Sequence, residues 1–394
     1  MGKKTFNLGR FGIYLGLALL ALVASLATKC NQGYQGPFQI FTFVDGCVQG
    51  RDLFLRPINL LNIMQQVAVN GILAVGMTVV ILIGGIDLSV GSMLALTGVI
   101  AALLVAQLNF FVTVAIVLAM GALVGLWNGV LSTYLKLPSF IATLGMLNIA
   151  RGGALVLSGA AAKFINNPFF TWVSRTDIPP QYSIGLTVAV SLAWAGSLAR
   201  RAWRQRGRLA WVLSALVLLV GGLASLVFTG RDFLTFERSQ GIPIIMFIFA
   251  LVAVITSFVL RRTRFGRYVY AIGGNAEAAR RTGIYVPRIT RLVFVIGGVY
   301  ASLAGLILAA RLSAGIPAEG VAAELDAITA VVIGGTSFTG GVGTIGGTVV
   351  GAFIIGFISN SLTINGIDAN WQLIVKGLIM IFAVALDQYG KRAT

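Results

Sequence analysis

The chain has 394 residues, of which 57% are hydrophobic and 10% charged, and its net charge is +17. Soluble domains carry about 25% charged residues, so this composition excludes a soluble catalytic domain; it predicts an all-α, polytopic membrane helix bundle of roughly ten to twelve spans of about 20 residues each. The positive charge is not a nucleic-acid footprint, because 19 of the 29 Lys and Arg fall in segments that the pattern places on one side of a membrane, where they set orientation and meet anionic lipids.

In chain order, the apolar run 11–27 follows Met-Gly-Lys-Lys with no clean small-x-small cleavage site and reads as an uncleaved first span. Residues 28–66 form a first extracytoplasmic segment holding both cysteines, Cys30 and Cys47; a disulfide and two free thiols are both open readings there. Further spans are predicted at 67–84, 88–106, 110–131, 139–157, 184–198, 209–228, 242–260, 292–310, 344–361 and 371–386. The apolar piece 326–334 is too short for a full crossing and reads as a half-helix or re-entrant segment, tolerated only where protein buries it. Counted as one pass, it brings the total to twelve crossings of a single transmembrane domain, 1–394, with both termini in the cytoplasm and every strongly basic loop beside them. The outer connections 163–181 and 230–241 are mixed in charge and read as solvated connectors or as contacts for an extracytoplasmic partner.

Two basic loops lie on the inner side. Residues 199–208 carry five arginines, and residues 261–291 carry eight with a single acid, Glu277. The second loop contains a two-turn helix signal. Asn275 suits the N-cap, Glu277 the first turn, Ala278 and Ala279 the centre, Arg280 and Arg281 the last turn, and Gly283 the stop. A short capped helix between two spans has no bilayer to pack on, so it is expected to dock on a cytoplasmic protein.

Polar residues inside apolar runs are few. Gly84 and Gly85 break one helix, and Asp87 and Ser89 stand at the start of the next. Asp87 has two readings: a cap that accepts the amide of Ser89 or Val90, or a lining group for a polar substrate, since an intramembrane acid is by default a functional candidate. Glu324 and Asp326 precede the short piece 326–334 and could cap it, pair with a base or meet a hydroxylated ligand; Lys376 is a candidate partner for them, or snorkels to the surface. Asn70, Asn128, Asn148, Arg151, Asn360 and Gln372 complete the set. Amides suit hydroxyl-rich ligands, and they also bond helix to helix. Small-x-x-x-small pairs at Gly121/Gly125, Ala301/Gly305 and Gly347/Gly351 predict close helix approach.

With no histidine in the sequence, His-ligated metals, His bases and His proton relays are excluded, and no metal site is expected. Gly341-Val-Gly-Thr-Ile-Gly346 matches a dinucleotide fingerprint but lies between membrane segments, and no G-x-x-x-x-G-K-[ST] occurs, so the chain itself holds no P-loop.

Four segments carry a family resemblance: Gly84-Gly-Ile-Asp-Leu-Ser-Val-Gly-Ser92, Pro138-Ser-Phe-Ile-Ala-Thr-Leu-Gly145, Gly266 to Ala279, and Glu324-Leu-Asp-Ala-Ile328 with Gly334-Gly-Thr-Ser337. In this order they resemble the permease subunits of bacterial monosaccharide ABC importers, of the ribose, xylose and galactose type. The resemblance implies a multi-pass protein of the bacterial cytoplasmic membrane. It implies that 275–283 is a coupling helix seated on a cytoplasmic ATPase, which binds the ATP, so that the permease needs no cofactor of its own. It implies a second permease copy around one central path, and an extracytoplasmic sugar-binding protein that delivers the monosaccharide. The extra pair of spans at 184–228 resembles the longer xylose and multi-sugar permeases, which points to xylose or a related aldose. Asn70, Asp87, Ser89, Asn148, Glu324, Asp326 and Asn360 are the candidates for the path. The alternative is an ion-coupled secondary sugar transporter using Asp87, Glu324 or Asp326 as ion ligands, although no clear internal repeat is visible. A membrane-embedded enzyme would need a clustered nucleophile, acid or metal set that the sequence lacks.

Overall fold

Long apolar runs fold as helices because a helix satisfies every backbone group within its own segment, which an apolar solvent demands. The computed structural model describes residues 57–178 and 242–392. Its helices are α1 (Pro57–Leu82), α2 (Val90–Val105), α3 (Phe110–Thr133), α4 (Ser139–Ser158), α5 (Pro168–Arg175), α6 (Ile244–Arg262), α7 (Arg264–Gly274), α8 (Ala276–Arg281), α9 (Val286–Leu312), α10 (Ala323–Ile333), α11 (Ile345–Ile364) and α12 (Ala369–Arg392). Among the described residues six helices, α1, α3, α4, α6, α9 and α11, are long and apolar enough to cross a membrane; α2 and part of α12 are shorter apolar helices. Four two-residue strands pair in two antiparallel ladders, β1 (Lys163–Phe164) with β4 (Ala314–Gly315) and β2 (Asp177–Ile178) with β3 (Ile242–Pro243). The spans expected at 11–27, 184–198 and 209–228, both cysteines and the loop 199–208 lie outside the described residues.

Helix α1 is the mast of the bundle. It packs against α9, α11, α10 and α6, and 83% of its apolar window is buried, against 22% for α3. The outer helices turn Phe111, Leu123, Trp127, Ile149, Val254 and Phe258 outward, the pattern of an apolar surrounding. Small residues set the closest contacts. Gly121 and Gly125 of α3 lie on the backbone of α9, Gly305 of α9 lies on α2, and Gly347 and Gly351 of α11 lie on α10. The three predicted small-residue pairs therefore all mark real helix crossings.

Several boundaries differ from expectation. Helix α1 begins at Pro57, ten residues before the predicted span, and so takes in residues read as extracytoplasmic loop. The polar Asn59, Gln65 and Gln66 hid this start, and Asn59 is in fact buried against a partner amide. Residues 264–274, read as loop, form the amphipathic helix α7, which buries Gly266, Val269 and Ile272 at three-residue spacing. In the outer connection, Asn167 caps α5 by accepting the amides of Phe169 and Phe170 at 3.0 and 3.4 Å.

The short apolar piece is a broken crossing. From the end of α9 the chain runs back non-helically along α2, with Gly315 against Gly98 and Gly320 against Gly91, and only then enters α10. Gly320 takes φ +71°, and a side chain there would run into the Gly91 carbonyl. Helix α10 opens at Ala322, a non-glycine residue at φ +61°. Glu324 and Asp326 thus lie within its first turn rather than before it.

Candidate functional site

Residues 275–283 form a capped knob. The Asn275 Oδ1 accepts the Ala278 amide at 2.9 Å, which satisfies one of the free donors at the start of α8. Glu277 lies beside Arg281 (3.3 Å) and Arg280 (3.6 Å), all well exposed, so these pairs add little stability. Gly283 takes φ +86° and ends the helix. Ala279 alone of the six residues is buried, facing the bundle, while the charged face points away. At the same end, the Arg291 guanidinium sits 5.3 Å over the Tyr134 ring, so the arginines of 261–291 and Lys136 share one side of the molecule.

The intramembrane candidates do not form one site. Most fall into three groups, with Asn70 and Asn148 in none of them. Asn360 and Asn59 exchange two amide bonds of 2.8 and 2.9 Å and so tie α11 to α1. Asp87 is buried in the link between α1 and α2, where its Oδ1 accepts the Ser89 amide (2.9 Å) and hydroxyl (2.6 Å); the Asn128 amide then donates to Ser89 (3.2 Å). These bonds form a local turn with Ser89, and the N-cap residue of α2 is Ser89 itself, two residues after Asp87. Asn70 is half-buried on α1, and Asn148 points outward from α4, bonded among the described residues to the Leu144 carbonyl of its own helix.

The third group surrounds the broken crossing. Asp326 accepts from Lys376 of α12 at 2.7 Å, with both side chains largely shielded. On the neighbouring side, Arg151 of α4 donates from Nη1 to the carbonyls of Pro317 (2.6 Å) and Glu319 (2.7 Å). Those carbonyls belong to non-helical backbone, which at membrane depth must be satisfied by protein. Arg151 also lies in the field of Glu319 and Glu324, and Arg311 in that of Glu319. These ionic groups are half-buried, not sealed. Charged groups of this kind inside a membrane bundle face the interior or a water-filled cavity.

The pairing of Lys376 with Asp326 was legible in the sequence. Sequence reasoning missed the structural role of Arg151, which it noted only as a polar residue in an apolar run, and it missed Arg311, Glu319 and Asn59 altogether. The available signal was an arginine at the centre of a span, with a Gly- and Pro-containing stretch, 313–320, elsewhere in the chain that needed donors.

Comparison with known proteins now identifies the architecture. Residues 59–384 match the family model described as branched-chain amino acid transport system / permease component. The chain is 38% identical over 348 residues to the xylose transport system permease protein XylH of Escherichia coli (strain K12), covering 86% of this chain and 87% of that one. It is 38% identical over 330 residues to the ribose import permease protein RbsC of the same organism, covering 84% and 85%. It is 38% identical over 360 residues to XylH of Haemophilus influenzae, covering 90% and 94%. No solved structure matches the chain. The family model spans well over half of the sequence, and the chain therefore belongs to this family of multi-pass membrane permease components.

Proposed function

We propose that the chain is the inner-membrane permease subunit of an ATP-driven, binding-protein-dependent importer of a monosaccharide, xylose or a related aldose. The observation that carries this reading is the capped helix α8, presented with its charged face outward on a chain without a P-loop. A permease of this kind needs an ATPase to supply work, and α8 is the knob that such an ATPase would grip. The excess of Lys and Arg at that end favours a cytoplasmic position for it. The family's description names branched-chain amino acids, whereas the relatives named above carry xylose and ribose. The relatives cover most of both chains, so sugar is the favoured cargo.

The half-exposed ionic groups Arg151, Glu319 and Glu324 favour a second permease copy, with these groups turned to a shared central path instead of lipid. An extracytoplasmic sugar-binding protein would deliver the ligand, and lipids would cover the apolar faces of α3 and α6. The test is uptake into proteoliposomes holding the full chain. Xylose accumulation is expected only when the cognate ATPase, ATP and binding protein are all present. Accumulation driven by a proton or sodium gradient without the ATPase would establish the ion-coupled alternative instead.

A further inference from the structure

Helix α8 has to move something, and the structure contains one place where its motion could be received. Three chain breaks meet there backbone to backbone: the end of α1, the end of α7 just before Asn275, and the loop 334–344 between α10 and α11. The Gly341 amide donates to the Leu82 carbonyl at 2.9 Å. Gly273, two residues before the N-cap of α8, lies directly on that same carbonyl and on the Gly341 amide. A side chain on Gly341 would come within 2.9 Å of the Gly274 nitrogen, and Gly341 takes φ +74°. A side chain on Gly340, at φ +89°, would come just as close to the Gly84 nitrogen. The contact is locked from the side by Tyr270, whose hydroxyl donates to the Gly343 carbonyl at 2.9 Å. Burial pushes the Tyr270 phenol above its ordinary value, and the nearby Arg261 charge only partly opposes this, so the hydroxyl keeps the proton it donates.

We propose that the junction of Gly273, Gly341 and Leu82, latched by the Tyr270–Gly343 bond, is the contact that passes motion of α8 to the broken crossing. The inference rests on the reading of α8 as the ATPase-docking helix and names the positioning residues for that coupling. Bare backbone suits the task. Flexible side chains between two moving elements would absorb a small displacement, whereas peptide groups in direct contact move together. From this contact two routes lead inward. One runs through the loop 334–344 to α10, which carries Asp326. The other runs through the link after Leu82, where the Ile86 and Leu88 amides donate to Ser139 and Thr143 of α4, each at 3.1 Å, the helix that carries Arg151.

The test uses the full permease with its cognate ATPase and binding protein in proteoliposomes, and reads sugar transported per ATP hydrolysed. For Tyr270→Phe, complex yield is expected to hold while sugar per ATP falls severalfold. For Gly273→Ala, sugar per ATP is expected to fall at least tenfold. Tyr270→Phe loses one hydroxyl and no packing, so it reads the contact even where Gly273→Ala accumulates poorly. A normal ratio in both variants overturns the proposal, as does a fall in complex yield with the ratio unchanged, which is what a purely structural contact gives. Glu277→Lys in parallel separates the two claims. If it leaves ATPase co-purification intact, the reading of α8 itself fails; if it abolishes co-purification while the junction variants transport normally, only the junction proposal fails.

Discussion

The α8 knob and the broken crossing at 313–333 are both short departures from a run of spans, yet they are stabilised in opposite ways. The knob closes its own hydrogen bonds within a few residues: Asn275 caps it, and its charges pair locally. The broken crossing takes its charged partners from distant chain. Arg151 supplies donors to carbonyls more than 160 residues away, and Lys376 supplies the charge opposite Asp326. A segment in water completes itself or is hydrated; a segment within the bilayer must be completed by other helices. The first is cheap to alter and local in effect. The second couples helices that are remote in sequence.

The largest effect that would break this contrast is expected at Arg151. Arg151→Met leaves the Pro317 and Glu319 carbonyls without their donor and removes the positive charge near Glu319 and Glu324. Each carbonyl left without its donor costs about 1–3 kcal/mol, so thermal unfolding of the detergent-purified chain should shift strongly downward; a melt like that of the unaltered protein would show the segment to be self-supporting. Next comes the Lys376–Asp326 pair. Lys376→Met alone should cost a similar ~3 kcal/mol, and adding Asp326→Leu should return stability to within about 1 kcal/mol, since a buried pair replaced whole by apolar groups is often neutral. Transport by that double variant sharpens the point: recovered stability with recovered uptake makes the pair a strut, and recovered stability with dead uptake puts it in the path.

Asn275→Ala should be milder and confined to one element. Loss of an N-cap costs about 1 kcal/mol of helix stability, or roughly a fivefold change in an equilibrium. ATPase co-purification should fall by about that factor while the melting temperature of the permease stays put; a global loss of stability would erase the distinction between the two regions. The smallest effect is Ala322→Gly. The left-handed backbone at the start of α10 strains an alanine by about 1–2 kcal/mol, part of which glycine returns to its own greater freedom when unfolded, so a small rise in melting temperature is expected.

The same contrast governs what could be read from the sequence. The knob was legible to the residue, because Asn275, Glu277, Arg280, Arg281 and Gly283 each answer to a neighbour within one or two turns. The described spans were legible from apolar length, and the helix crossings from small-residue spacing. Helix α7 was not, since its arginines resemble a solvated loop and only its three-residue burial pattern betrays it. Nor was the purpose of Arg151, because its partners lie across the fold and no local rule links residue 151 to residues 317 and 319. The partner of Asn360 was illegible for the same reason: Asn59 is 301 positions away.

The burial of α1 has a consequence for biogenesis. This helix carries Asn59, Gln65, Gln66, Asn70 and Thr78, and its partners α9, α10 and α11 begin roughly 200 residues or more downstream. At synthesis rates of about 5–20 residues per second, it waits on the order of ten seconds or longer in contact with lipid or an insertion factor before Asn59 and Thr78 meet Asn360 and Thr348 of α11. The nascent chain is therefore most vulnerable in the middle of its translation, and substitutions that enrich α1 further in polar groups should reduce yield in cells more than they reduce the durability of molecules already assembled.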